Sequence, residues 1–375
     1  MKTENEHRVK LRGGLVVMTY AMLIVIVANT SALKVMAQDD APIPEWLQQR
    51  LVDRVMHRRD SNSMMRLVQP IAETINGGVV EIISSGRPVA LGTVVSKEAD
   101  VSAVANVSAT GDAYILTKRS ELSGDPIRVR LADGQLLPAR VASVRRASDL
   151  ALLVVQSDAT TISRSLRPIE FSRYVPMIGS FLISPDRSGR VIGIGVVGAA
   201  PRKVAHRGML GINLQRIEEV GARVQAIIPN SGADEAGLEK GDRIIAIDGR
   251  TQSNVDIVVS TLNSMFPGEV VQLTIERDGS KVDIPARLSE YAIMQESEND
   301  ARVNGARNVR LSGFEQAIQH DMVLNPEQCG GPILDSEGRV IGINIARAGR
   351  VVSYALPASL VASEVSSMIA EAGGR

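Results

Sequence analysis

The sequence predicts a mainly β protein, an antiparallel barrel or sandwich interrupted by a segment of mixed α and β texture. Three observations carry this. From about Ile71 the chain breaks into short runs such as "GGVVEII", "VALGTVVS" and "DLALLVVQ", separated by turns containing Gly, Asp and Pro, the pattern of an all-β domain. Aromatic residues make up only 3% of the chain, so the core must be built from Val, Ile, Leu and Ala, and its valine-rich runs favour strands. From about Val204 to Leu288 the grammar changes: "VQAIIPNSGADEAGLEKGDRIIAIDGR" leads into the helix-like "NVDIVVSTLNSM" and then the strands "EVVQLTIERDG" and "KVDIPARL".

In chain order, Arg8, Lys10 and Arg12 precede the apolar run "LVVMTYAMLIVIVA", and "VMA" at Val35 to Ala37 stands before the acidic "QDD". This is the layout of a cleavable secretory signal processed after Ala37. The alternative is an uncleaved membrane anchor, against which the run is shorter than the roughly 20 residues of a spanning helix. Either reading puts the body outside the cytoplasm. "PIPEWLQQRLVDRVMHRR", Pro42 to Arg59, has helical spacing and is expected to form a short amphipathic helix. The strands follow, with "RLADGQLLPARV" as a hairpin whose Asp133 and Gly134 are expected to supply positive φ angles. "FLISPDRSGRVIGIGVVGA" is a second hairpin. After the mixed segment, the polar link "QESENDARVNGARN" returns to β texture, the strand "VVSYALPASL" and a terminal helix.

The balance of 42 basic and 42 acidic residues favours neither nucleic acid nor an acidic substrate. The single cysteine, Cys329, rules out an intrachain disulfide framework and a Cys-rich zinc site. No metal site and no cofactor are expected.

The middle segment resembles a PDZ domain of the bacterial type. "MLGI", Met209, Leu210, Gly211 and Ile212, stands where that family binds a terminal carboxylate, and "SGADEAGLEKGDRIIAIDG" matches its helix, strand and turn. Backbone N–H groups of such a loop receive the carboxylate, and the following strand accepts an extended peptide by edge pairing. The flanking segments, about Met65 to Lys203 and Leu311 to Ile369, resemble the trypsin-like peptidase domain of the HtrA/DegP family. The words that carry the resemblance are "YILTKRSEL", "DLALL", "EQCGGPILDSEGRVIGIN" and "SYALP". The resemblance implies a trypsin-like double β-barrel interrupted by an inserted PDZ-like αβ domain. It divides the chain into a signal peptide (1–37), an N-terminal helical segment (38–64), a first peptidase part (65–203), a PDZ-like domain (204–290), a linker (291–310) and a second peptidase part (311–375). In relatives the PDZ domain usually follows the whole peptidase.

By the same resemblance Ser120 stands where the family has its histidine base, Asp149 where it has the acidic orienter, and Cys329 where it has the serine nucleophile. The oxyanion region falls on Glu327, Gln328 and Gly330. Glu327 replaces a glycine, so a β-carbon and a carboxylate stand where the site must stabilise negative charge. A thiol needs a basic or cationic neighbour to be activated, and loss of the base in a serine-peptidase triad costs on the order of a million-fold in turnover. Two substitutes come into question: His320, which the resemblance puts beside the substrate pocket, and one of Lys118 or Arg119, because neighbouring side chains on a strand face opposite ways. Without a histidine to orient, Asp149 is expected to bind nearby backbone amides, and Gly330 and Gly331 can serve turn and packing alone.

The resulting expectation is a secreted or periplasmic pseudopeptidase that recognises exposed or C-terminal segments of peptides or unfolded proteins, in envelope quality control or its regulation. An active endopeptidase with Cys329 as nucleophile and a purely structural assembly subunit are the alternatives. The resemblance also implies a homo-oligomer, a trimer in relatives, or association with active HtrA-type peptidases.

Overall fold

A computed structural model describes residues 61–96, 112–206 and 208–373. The chain divides into two compact units, Met1–Met64 and Met65–Arg375, and all the described strands belong to the second. The signal sequence and the helix expected at Pro42 to Arg59 lie outside the described residues. Among those described, no helix is long and apolar enough to cross a membrane.

The first described element is a helix that the sequence pattern does not predict, α1 (Asn62–Glu73), which buries Val68 and Ala72. Six antiparallel strands then close a barrel: β1 (Val79–Ser84), β2 (Arg87–Val95), β3 (Asp112–Lys118), β4 (Ile127–Arg130), β5 (Leu136–Arg145) and β6 (Leu150–Gln156), ordered β1-β2-β3-β6-β5-β4. Alternating side chains fill it, with Val80, Ile82, Val94, Ile115, Val129, Leu153 and Val155 buried together. The β4–β5 turn differs from expectation in one detail. Only Gly134 takes a positive φ, +91°, while the Asp133 carboxylate accepts the Gln135 N–H at 2.9 Å, so a three-residue loop needs one left-handed position and not two. Helix α2 (Ala159–Ser165), capped by Asp158, leads away.

The second barrel is assembled from two separated stretches. Its strands are β7 (Phe181–Pro185), β8 (Val191–Val204), β17 (Phe314–His320), β18 (Pro332–Leu334), β19 (Val340–Gly349) and β20 (Val352–Pro357), closed in the order β17-β20-β19-β18-β7-β8. Between β8 and β17 lies a sheet of β10 (Ile212–Gln215), β11 (Ala222–Ile227), β12 (Arg243–Ile247), β14 (Val270–Arg277) and β15 (Ser280–Arg287), with the short β13 (Arg250–Thr251) on β12. Two helices, α3 (Gly232–Glu235) and α4 (Val255–Asn263), start at Ser231 and Asn254, whose side chains cap them. Leu210, Val224, Ile244, Val258, Leu262, Leu273 and Ile275 form its core. The insert's ends meet, because β8 and β17 pair with Val204 opposite Phe314. An insertion between adjacent strands leaves the barrel intact.

The stretch expected to be a plain polar link carries two helices, α5 (Tyr291–Met294) and α6 (Glu298–Asn304). Helix α7 (Ala358–Gly373) is the last described element. It buries Val361, Val365, Met368 and Ile369 in a cluster with Leu116, Leu150 and Leu152 of the first barrel and Phe314, Ile343 and Leu356 of the second. That shared cluster fixes the two barrels against each other.

Candidate functional site

The pairing of β3 with β6 sets Lys118 opposite Leu150, which brings Ser120 and Asp149 together just beyond the strand ends. Asp149 holds a φ of +59°, uncommon for a residue other than glycine. Its side chain compensates locally: Oδ1 accepts the Ser120 backbone N–H at 3.0 Å and Oδ2 accepts the Ser120 hydroxyl at 2.8 Å. The alternation of side chains turns Lys118 inward and leaves Arg119 half-buried. Lys118 is fully buried, its Nζ 3.3 Å from Asp149 Oδ2 and 3.8 Å from Glu121 Oε1 while donating to the Arg310 carbonyl at 3.1 Å. Of these contacts only the one to the carbonyl is a hydrogen bond; the two carboxylates are ion-pair partners, Glu121 the more distant.

Cys329 follows a single 3₁₀ turn, Pro326–Gln328. The turn is closed on itself: Gln328 N–H donates to Asn325 O at 3.0 Å, Cys329 N–H to Pro326 O at 3.1 Å, and the Gln328 side chain accepts the Asn325 N–H at 2.7 Å. The amide of the nucleophile position is therefore spent inside the turn and does not face a developing oxyanion. The Glu327 side chain is exposed. Gly330 has a φ of +96°, its N–H donates to Asn344 O, and a β-carbon there would fall 2.1 Å from the Leu91 carbonyl oxygen. Close approach of the turn to β2 thus requires glycine whatever the chemistry. The Cys329 thiol is fully buried. Burial pushes its pKa up to about 12, against smaller opposing pulls from the Lys118 charge and the Arg347 amide.

His320 is 1% exposed on β17, and neither ring nitrogen makes a hydrogen bond of good geometry. Burial lowers its pKa to about 4, so the ring is neutral at neutral pH, with Asn344 as its polar neighbour. Asn344 Nδ2 donates in turn to Ser184 Oγ at 3.0 Å. The ring thus belongs to a polar pocket of the second barrel.

The structure brings Lys118, Ser120 and Asp149 into one buried group beside Cys329 and the residues Asn308 to Ser312. The latter had no local signal in the sequence. Arg310 is fully buried. Its Nε donates to Ser312 O at 2.9 Å and Nη2 to Ala147 O at 2.8 Å and to Gly313 O, while Nη1 donates to Arg146 O. The guanidinium also lies 4.1 Å over the Phe266 ring and 5.0 Å over Phe314. The loop before β14 reaches the same place. Glu269, 2% exposed, receives two hydrogen bonds from Arg146 at 2.7 and 2.8 Å. Burial works against its charge, but Arg146, the Phe266 amide and Arg119 hold its pKa below the usual carboxylate range. A β-carbon on the neighbouring Gly268 would sit 3.5 Å from Ser120 Cβ.

In the insert, Met209 lies on the short β9 (Gly208–Met209), which pairs with β16 (Ser289–Glu290). Leu210 is buried and its carbonyl accepts the Ala233 N–H; the Gly211 carbonyl accepts the Ile228 N–H, and Ile212 opens β10. Met294 of α5 packs over Gly211. β10 is an edge strand, unpaired on its outer side among the described residues. Its end is tied to α4 by Arg216, which donates to the Asp256 carboxylate at 2.7 and 2.9 Å.

Comparison with known proteins matches a PDZ domain to residues 208–288. A probable periplasmic serine endoprotease, DegP-like, from Marinomonas sp. is 24% identical over 64% of this chain and 66% of its own length. The periplasmic serine endoprotease DegP of Escherichia coli K12 is 27% identical over 30% of this chain and 23% of its own. A DegP-like relative from Hahella chejuensis is covered over 55% of its length, so the chain spans between half and two thirds of the first curated relatives it matches. Among solved structures, the MamO protease domain from Magnetospirillum magneticum aligns with 78% of this chain and 97% of its own at 16% identity, with a TM-score of 0.37. Two closed six-stranded barrels with a PDZ domain between adjacent strands of the second give the chain a trypsin-like double-barrel fold that carries a PDZ domain, and in sequence it is similar to DegP-like serine endoproteases.

Proposed function

We propose that the chain is a secreted or periplasmic pseudopeptidase that recognises exposed or C-terminal peptide segments through its PDZ domain and does not hydrolyse them. One observation carries the reading: the buried group of Lys118, Asp149 and Ser120 is engaged within the chain. The Ser120 hydroxyl donates to Asp149, Lys118 pairs with Asp149 and donates to the Arg310 carbonyl, and no imidazole stands at the base position to serve Cys329. The open outer side of β10 and the loop at Met209 to Ile212 support peptide recognition by strand addition. The periplasmic setting of the DegP-like relatives supports a role in envelope quality control or its regulation.

The test is fluorescence anisotropy with peptides bearing a free C-terminus, against the same peptides amidated. Binding to the free acid only, lost in Ile212→Glu, is the expected result. Indifference to amidation, or unchanged binding in the variant, would leave an assembly subunit as the better reading. Ile212 serves this test because it is partly exposed, whereas a charge at Leu210 would enter the domain core.

A second reading, an endopeptidase with Cys329 as nucleophile, has one observation in its favour: Lys118 is an inward-facing amine whose charge reaches the thiol. It requires the Lys118 amine to act as base from a buried position between Asp149 and the Arg310 carbonyl.

A further inference from the structure

Asn308 to Ser312 make hydrogen bonds to both barrels and to the residues that follow the PDZ domain. On the first barrel, Glu121 Oε1 accepts from Asn308 Nδ2 at 2.9 Å and from the Val309 N–H at 3.0 Å, and Lys118 donates to the Arg310 carbonyl. On the second, Asn308 N–H donates to Arg347 O at 3.3 Å, Arg347 N–H donates to Asn308 Oδ1 at 2.7 Å, and Asn308 Nδ2 donates to Pro326 O at 3.1 Å. Glu290 accepts the Leu311 N–H at 2.7 Å and the Ser312 hydroxyl at 2.8 Å. Asn308, Arg310, Leu311 and Ser312 are all buried.

The pattern on β19 says what this segment replaces. β18 covers the edge of β19 only from Val340 to Ile343, and Asn344 bonds to Gly330 and Gly331 of the Cys329 turn. The N–H and C=O of Arg347 come next, and the Asn308 backbone and side chain supply one acceptor and one donor to them. A neighbouring strand would meet the same two groups in the same sense.

We propose that Asn308 to Ser312 form an intramolecular strap that bridges the two barrels and covers the edge of β19 beyond Asn344 as an extended peptide would, with Glu121 as its latch. The strap closes that edge to any outside strand. Its release would leave the Arg347 N–H and C=O, the Glu121 carboxylate and the Lys118 ammonium short of partners, a set that an extended peptide backbone can satisfy. The strap does not depend on whether Cys329 turns over substrate: it is read by amide exchange, activity is read by hydrolysis, and each can fail alone.

The experiment is hydrogen–deuterium exchange with mass spectrometry on the full chain, comparing the native sequence with Glu121→Ala and, separately, Asn308→Ala. The expected result is that amides between 306 and 313 exchange about tenfold faster or more in both variants, since each loses hydrogen bonds at a buried site, while β1 and β6 keep their native protection. Unchanged exchange in the strap would overturn the proposal. So would equal acceleration throughout both barrels, which would make these residues ordinary core. Asn308→Ala keeps the test decisive if Glu121→Ala does not fold, because it keeps every charge at the end of β3 and removes only one hydrogen bond to Glu121.

Discussion

The corner beyond β3 and the outer edge of β10 are built on opposite principles. At the corner, Lys118, Ser120, Asp149 and Arg310 are buried and Glu121 nearly so, and each polar group finds its partner inside the chain. At β10 the backbone is paired on one side only. Buried polar groups cost stability unless they are satisfied, so a corner closed to water must find its partners inside the chain. An edge strand left open at the surface carries no such penalty, because water serves until a peptide arrives. On the proposed function, the contrast separates a corner that serves as scaffold from an edge that serves for binding.

The largest effect is expected at Arg310. Arg310→Ala strands the carbonyls of Arg146, Ala147, Ser312 and Gly313 and removes the cation stacked on Phe266, and should cost about 3–4 kcal/mol in chemical denaturation. A loss within about 0.5 kcal/mol, as at an ordinary surface site, would contradict the packing described.

His320 gives an effect of similar size that appears only in acid. Its folded pKa, about 4, lies below the unfolded value of 6.5. The unfolded chain therefore binds the extra proton between these values, and the stability held above pH 6.5 is lost as pH falls toward 4, by about 3 kcal/mol in total. Denaturation midpoints across that range in the native chain and in His320→Leu should show the limb flattened in the variant. Parallel curves would mean that other groups carry the acid limb.

Ser120→Ala is the smaller probe. It removes one hydrogen bond to a buried carboxylate that keeps the Ser120 N–H and Lys118, so a loss of about 1–2 kcal/mol is expected in the same denaturation measurement. Ile212→Glu should abolish peptide binding at a stability cost smaller than that of Arg310→Ala, since Ile212 is only partly buried against the domain core, which separates the open edge from the closed corner.

Much of this is legible in the sequence because it is local. Strand runs, the two hairpins, the "SGADEAG" helix and the order of the three peptidase words all report on residues close together in the chain. Helix α1 escapes such a reading because "DSNS" has the composition of a turn, although its last two residues, Asn62 and Ser63, open the helix. The linker's polar composition suggests a solvated connection, yet Asn308 and Arg310 are among the most buried polar residues described. Their partners lie 187, 18 and 39 residues away for Asn308 alone, and no local pattern encodes such pairings. The strand rule requires at most one of Lys118 and Arg119 to face inward but cannot choose between them. Asp149 and the Arg310 carbonyl make the choice, and both are distant in sequence from Lys118.

Whether the corner has exchanged chemistry for self-satisfaction is decided by turnover of unfolded casein with the purified full chain beside its Cys329→Ala variant. No hydrolysis above the buffer background, and no difference between the two proteins, is the expected result. Cleavage by the native chain that disappears in Cys329→Ala would contradict it and make Cys329 a working nucleophile.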